Sequence, residues 1–111
     1  GAAYGIDGMA HRAALANGGN TIAVLAGGVD RFYPTGHDSL LGRIAQDGLI
    51  ISELPCGQPP TKWRFLARNR IIAAFAQATL VVEAGCYLRL VRRCGHFERS
   101  GGRCQSLLEV G

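Results

Sequence analysis

The residues best suited to chemistry lie between Lys62 and Arg70, in the run "KWRFLARNR". Lys62, Arg64, Arg68 and Arg70 are interleaved there with Trp63 and Phe65. The run continues as "IIAAFAQA", and Arg68, Ile71, Ile72 and Phe75 recur at i, i+3, i+4 and i+7, the spacing of a helix face. Cations at a helix start oppose the macrodipole, at about 0.3–1 kcal/mol each. A bound phosphate reverses that sign, because the free N–H groups and the positive side chains then act together. Aromatic rings between the cations would stack on bases, worth roughly 1–3 kcal/mol per base. Interleaving of this kind has the chemistry of a groove for a single nucleic-acid strand. The same composition fits a plainer arrangement, with Trp63 and Phe65 in the core and the cations solvated.

Other candidates are weaker. Gly27-Gly28 follows an apolar run, and glycines at a strand end let a phosphate approach backbone N–H groups. A tight turn explains them as well. No G-x-G-x-x-G and no G-x-x-x-x-G-K-[ST] is present, so dinucleotide and NTP sites of those types lack support. Glu53 and Glu83 end two apolar runs and would serve hydrolysis if they faced one cleft. Solvated strand ends, or partners for Arg68 and Arg70, are the plainer readings. Asp7 and His11 lie four apart; capping by Asp7 and a surface His11 is favoured over an acid–base pair. Cys86, Cys94, His96 and Cys104 offer three thiolates and an imidazole, but their spacing matches none of the common zinc knuckles, so no metal is expected.

The elements that must position these residues are legible in the first 85 positions. "GIDGMAHRAALANGG" reads as a helix closed by a left-handed Gly18-Gly19. "NTIAVLAGG" and "LIISEL" read as buried strands, and "RFYPTGHD" as a loop. "SLLGRIAQDG" puts Leu40, Leu41, Ile44 and Ala45 on one helical face and stops at Gly48. "PCGQPP" makes a rigid connection to the third helix, and "TLVVEAG" is a third strand. Apolar strands alternating with helices predict an α/β fold: a doubly wound, mostly parallel sheet with ligands beyond the carboxyl ends of its strands. The opening helix has no strand before it, so the chain is expected to start inside a larger domain.

Composition narrows the classes. One small domain fits 111 residues. No run of eighteen apolar residues exists to span a membrane, and no signal-peptide pattern opens the chain, so a cytoplasmic location with reduced cysteines is expected. The formal charge of +4 is uneven, with a net of +1 over residues 1–85 and +3 over 86–111. That balance is compatible with a nucleic-acid partner without demonstrating one. Residues 86–111 show no clean helical or strand period, and no regular structure is assigned to them.

"GID" at 5–7 with "AH" at 10–11, "YP" at 33–34, "SE" at 52–53 and "RNRIIA" at 68–73 resemble the DNA processing protein A family, DprA, also called Smf. The resemblance runs almost unbroken over residues 1–85. It implies a Rossmann-like domain without the dinucleotide fingerprint, here truncated at its N-terminus. It implies a bacterial cytosolic protein that binds single-stranded DNA in a basic pocket, protects incoming DNA in natural transformation and helps load RecA recombinase. It also implies a homodimer in the intact protein, no cofactor and no enzymatic activity. A lysine and an aromatic three residues later lie in the family's DNA pocket just before "RNRIIA"; here these are Lys62 and Phe65. Arg68 and Arg70 fall on the family's "RNR", Arg64 assists, and Gly27 and Gly28 would let the backbone approach. A nucleotide-hydrolysing Rossmann-like enzyme is the alternative, with Glu53 or Glu83 as its carboxylate. The sequence departs from the family after Gly85, where "CYLRLVRRCG" replaces a family segment containing Ser-Gly-Ser. A shifted reading frame would produce that departure and would make the cysteine–histidine spacing accidental; the nucleotide sequence decides it.

Overall fold

The computed structural model describes residues 1–83 and 106–110. Three helices, α1 (Ile6–Ala16), α2 (Asp38–Asp47) and α3 (Lys62–Phe75), alternate with strands β1 (Ile22–Leu25), β2 (Leu49–Ser52) and β3 (Ala78–Glu83). A fourth strand, β4 (Ser106–Val110), lies where the sequence offered no period. Cys86, Cys94, His96 and Cys104 fall outside the described residues.

β1 and β2 pair in parallel, with Ile22 opposite Leu49 and Leu25 opposite Ser52. The α2 crossover between them is the expected βαβ unit. β3 pairs antiparallel with β4, with an irregularity between Leu80 and Glu83. Among the described residues, β3 therefore joins a second two-stranded sheet and does not extend the parallel pair. Glu53 and Glu83 accordingly do not close neighbouring strands of one sheet.

The core forms where α1 and α2 cover the β1–β2 pair. Leu15, Ala23, Leu25, Leu40, Leu41 and Ile44 are buried together, with Phe32 and Ile50 packed against them. Leu40, Leu41 and Ile44 meet the expected face of α2, but Ala45 is exposed. On α3 the buried residues are Arg68, Ile72 and Ala73. Phe75, expected on that face, is 61% exposed. The inward side of α3 is thus marked by Arg68, Ile72 and Ala73, with Phe65 half-buried one turn before Arg68.

α1 corrects two expectations. Its N-cap is Gly5, and no side chain caps it. Asp7 is buried and accepts from the Ala3 N–H at 3.3 Å, which ties the first residues of the chain to the helix. His11 is also buried, at 7% exposure, and is not a surface side chain. Its Nε2–H donates to the Gly1 carbonyl, so Nδ1 accepts from the Thr21 hydroxyl at 2.6 Å. Gly18 does take the left-handed conformation, at φ 68°, after Asn17 closes the helix.

Burial holds the His11 pKa below its ordinary 6.5, and this outweighs the opposing effect of the Gly1 carbonyl. The Asp7 carboxylate also raises it, while His37 lowers it. Above about pH 6.5 both folded and unfolded chains carry a neutral imidazole, and stability is unaffected. Below it the unfolded chain takes up the proton first, so stability falls as pH drops toward the depressed folded value. The urea midpoint is expected to decline between pH 7 and 5.5, and His11→Gln is expected to flatten that decline; an equally steep decline in the variant would refute the assignment to His11. Leu41, which is fully buried, supplies the core test: Leu41→Ala is expected to cost about 2–5 kcal/mol in the same measurement.

Candidate nucleic-acid interface

A concavity of about 200 Å³ opens at the carboxyl end of β1, where the chain leaves the strand through Leu25, Ala26 and Gly27. This is the end at which parallel α/β sheets receive ligands. Ala2, Ala3 and Tyr4 form one wall, Arg31, Tyr33 and Pro34 a second, and Pro60, Phe65 and Arg68 a third.

Phe65 faces this space because of helical geometry. Lys62, Phe65 and Arg68 are spaced i, i+3 and i+6, so they share one side of α3. The Phe65 ring lies 5.6 Å from the ring of Tyr33, tilted by 49°. The Arg68 guanidinium sits over Phe65, 5.6 Å from its centroid, within cation–π range. Trp63 is two positions from Phe65 and points away; it is 75% exposed. Trp63 and Phe65 therefore form no common stacking face, and Trp63 does not belong to the core.

The four cations of the basic run separate into distinct environments. Arg68 is buried at 8% exposure and donates to the Val24 carbonyl and to Asn69 Oδ1. It is not a solvated cation at a helix start, but it does line the concavity. Arg64 turns back on the preceding loop, donating to the Pro59 carbonyl at 2.6 Å and to Gln58 Oε1 at 3.0 Å. Arg70 is exposed and paired with Glu53 on the surface. Lys62 is exposed on the first turn of α3, above Phe65 on the stripe that faces the concavity. Dipole repulsion acts within the first turn, so it concerns Lys62 and Arg64 alone. Arg64 offsets it through its two hydrogen bonds, and Thr61 Oγ1 caps the helix by accepting the Arg64 N–H at 3.4 Å.

Gly27 and Gly28 are buried under the 55–60 loop. The Gly28 N–H donates to the Gln58 carbonyl at 2.9 Å, so it is not available to a phosphate. A Cβ on Gly28 would lie 2.8 Å from the Pro55 carbonyl oxygen and 3.0 Å from Cys56 Cα; one on Gly27 would lie 2.9 Å from the Gln58 carbonyl oxygen. The glycines let a loop approach. Gly27 still borders the concavity, whereas Gly28 does not. The loop is held at a further point: Asp30 Oδ1 accepts the Gly57 N–H at 2.8 Å, which lowers the Asp30 pKa.

The structure thus brings Gly27, Phe65 and Arg68 to one concavity and places Lys62 on the same stripe of α3. It does not bring Arg64, Arg70 or Gly28 there. Sequence reasoning missed Arg31, Tyr33 and Tyr4. The available signal was "RFYP", an arginine and a tyrosine beside a proline-bent loop. Tyr4 is held in the wall by an edge-on contact with buried His37 at 4.7 Å, and its hydroxyl accepts the Gly36 N–H at 2.9 Å. Among the described residues, no three His, Cys, Asp or Glu side chains converge on a common point that could hold a metal, and no helix is long and apolar enough to cross a membrane.

The model of the family described as DNA recombination-mediator protein A matches residues 1–87. A Mycobacterium tuberculosis relative that carries the name DNA processing protein DprA is 61% identical over 85 residues, covering 77% of this chain and 22% of its own. The DNA processing protein DprA of Streptococcus pneumoniae is 50% identical over 84 residues, covering 76% of this chain and 30% of its own. The X-ray structure of DNA processing protein A from Streptococcus pneumoniae aligns with a TM-score of 0.57 at 49% identity, over 62% of this chain and 24% of that one. The expected α/β, Rossmann-like fold stands with this likeness. The chain spans under a third of the length of these relatives.

The packing of the glycines gives a paired test. Gly28→Ala is expected to displace the 55–60 loop and destabilise the chain by about 1–3 kcal/mol. Gly42, inside α2, has nothing within 4 Å of an added Cβ. Gly42→Ala is therefore expected to stabilise by about 0.5–1 kcal/mol, through helix propensity. Denaturant unfolding of both variants reads the contrast, and a Gly28→Ala chain as stable as the parent would contradict the packing role.

Proposed function

The chain belongs to the DNA recombination-mediator protein A family, and from that membership we propose that its concavity holds single-stranded DNA. One observation carries the reading: Tyr33 and Phe65 meet beside Arg31 and Arg68 at the carboxyl end of β1. Aromatic faces accept any base, and exposed cations at the rim accept phosphates. Phe65 is the stacking residue, with Tyr33 beside it. Lys62 and Arg31, both exposed, are the phosphate contacts. Arg64 and Arg70 act at most on a strand continuing past the rim, since each already has a protein partner.

The same membership supports a bacterial, cytoplasmic protein of natural transformation and recombination. In that role it shields incoming single strands and helps load RecA recombinase, as part of a homodimer in the intact protein. The function is one of binding and not of turnover.

Anisotropy titration with a labelled oligothymidine across a salt series tests the proposal. Phe65→Ala is expected to weaken binding about tenfold with the salt slope retained. Lys62→Ala and Arg31→Ala are each expected to flatten the slope of log K against log salt by about 0.7. A folded parent chain that binds no single strand at low salt overturns the reading. Turnover of a nucleoside monophosphate panel would instead favour the hydrolytic alternative.

A further inference from the structure

Arg68 has the sequence position of a phosphate ligand but the surroundings of a structural cation. Its guanidinium is buried, donates through Nη1 to the Val24 carbonyl of β1, and donates through Nε to Asn69 Oδ1. Arg68 also flanks Gly1 together with the buried Asp7: a Cβ on Gly1 would meet Asp7 Oδ2 and would lie 3.1 Å from Arg68 Nη2. A guanidinium held this way has little freedom to follow a moving phosphate. Its Cζ sits over the Phe65 ring, 5.6 Å from the centroid, on the side of α3 that the i, i+3 spacing imposes.

We infer that Arg68 is a positioning residue: it fixes the Phe65 ring against Tyr33 by anchoring it to the end of β1, and it does not itself bind the phosphate of a strand. This rests on the single-strand reading above. Three observations converge on it. Arg68 reaches β1 from α3, so it couples helix and strand. It lies over the face of the Phe65 ring within cation–π range, an arrangement that a flexible ammonium reproduces poorly. Phe65, half-buried and in contact with Tyr33 across the concavity, is then oriented before any base arrives. Preorganisation of this kind raises affinity for the group that stacks and leaves the electrostatic contribution untouched.

The test separates base from phosphate. The 111-residue chain is titrated with an oligothymidine and with an abasic oligomer of equal length, each across a salt series. Arg68→Lys, which keeps the charge, is expected to lose about fivefold to tenfold on the oligothymidine and less than twofold on the abasic strand. In a Phe65→Ala background the same substitution is expected to change nothing further on either strand. Arg68→Met, where it folds, is expected to keep the salt slope. Equal losses of Arg68→Lys on both strands, or persistence of its loss in the Phe65→Ala background, overturn the positioning role. A slope flatter by about 0.7 in Arg68→Met does the same and makes Arg68 a phosphate ligand. A parent chain that binds neither strand overturns the single-strand reading itself and removes this inference with it.

Discussion

A buried guanidinium joins the strand end to the helix that completes the concavity. Arg68 occupies a helix position that a leucine would fill in an ordinary amphipathic pattern, yet it is as buried as Ile72 one turn on. Burying a charge is costly unless its hydrogen-bonding groups are met. Here the Val24 carbonyl and the Asn69 side chain each accept from it, and Asp7 lies near. The carbonyl belongs to β1, so the cation makes α3 and β1 parts of one structure. The placement of Phe65, and with it one wall of the concavity, depends on that join.

The second constraint is steric. The loop from Pro55 to Pro60 lies on Gly27 and Gly28 with no space for a side chain between them. Its carbonyls are engaged from both sides, at Gln58 by the Gly28 N–H and at Pro59 by Arg64. Asp30 holds the loop at Gly57. This loop delivers Pro60 to the concavity and sets where α3 begins. The glycine pair thus shapes the site by close packing, a different use of the same residues from the backbone cradle that glycines at a strand end suggest.

Much of this was legible in the sequence, and the remainder was not for identifiable reasons. Helical spacing, short apolar runs and the glycines and prolines between them marked α1, α2, α3, β1, β2 and β3, because burial and chain breaks act locally. Phe65 and Lys62 were legible through the resemblance to the family. Arg31 and Tyr33 had only the weak local signal of "RFYP", because what brings them to the site is long-range: Tyr33 meets Phe65 across 32 positions, and Arg31 lines the same concavity. His11 read as a surface residue since nothing local shows that Thr21 and the Gly1 carbonyl enclose it. The directions of the arginines leave the least local trace. Four cations in nine residues look like one patch, but a helix distributes them around its axis, and only spacing by three or four keeps side chains together.

That distribution bears on how such a site can work. Cations that remain exposed, such as Lys62 and Arg31, attract a polyanion from a distance and lose strength in salt. A cation that is buried and hydrogen-bonded does neither, but it can hold a ring in place with a force that salt barely screens. The basic run thus divides its labour along one helix. Its first residue meets the solvent and faces whatever charge arrives there. One and two turns later, Phe65 and Arg68 form a fixed pair against the strand end. Arg64 and Arg70 secure the loop and strand on either side through Gln58, Pro59 and Glu53. The helix start therefore carries cations for two separable reasons, one electrostatic and one architectural, and Lys62 is where the electrostatic reason is left without an architectural substitute.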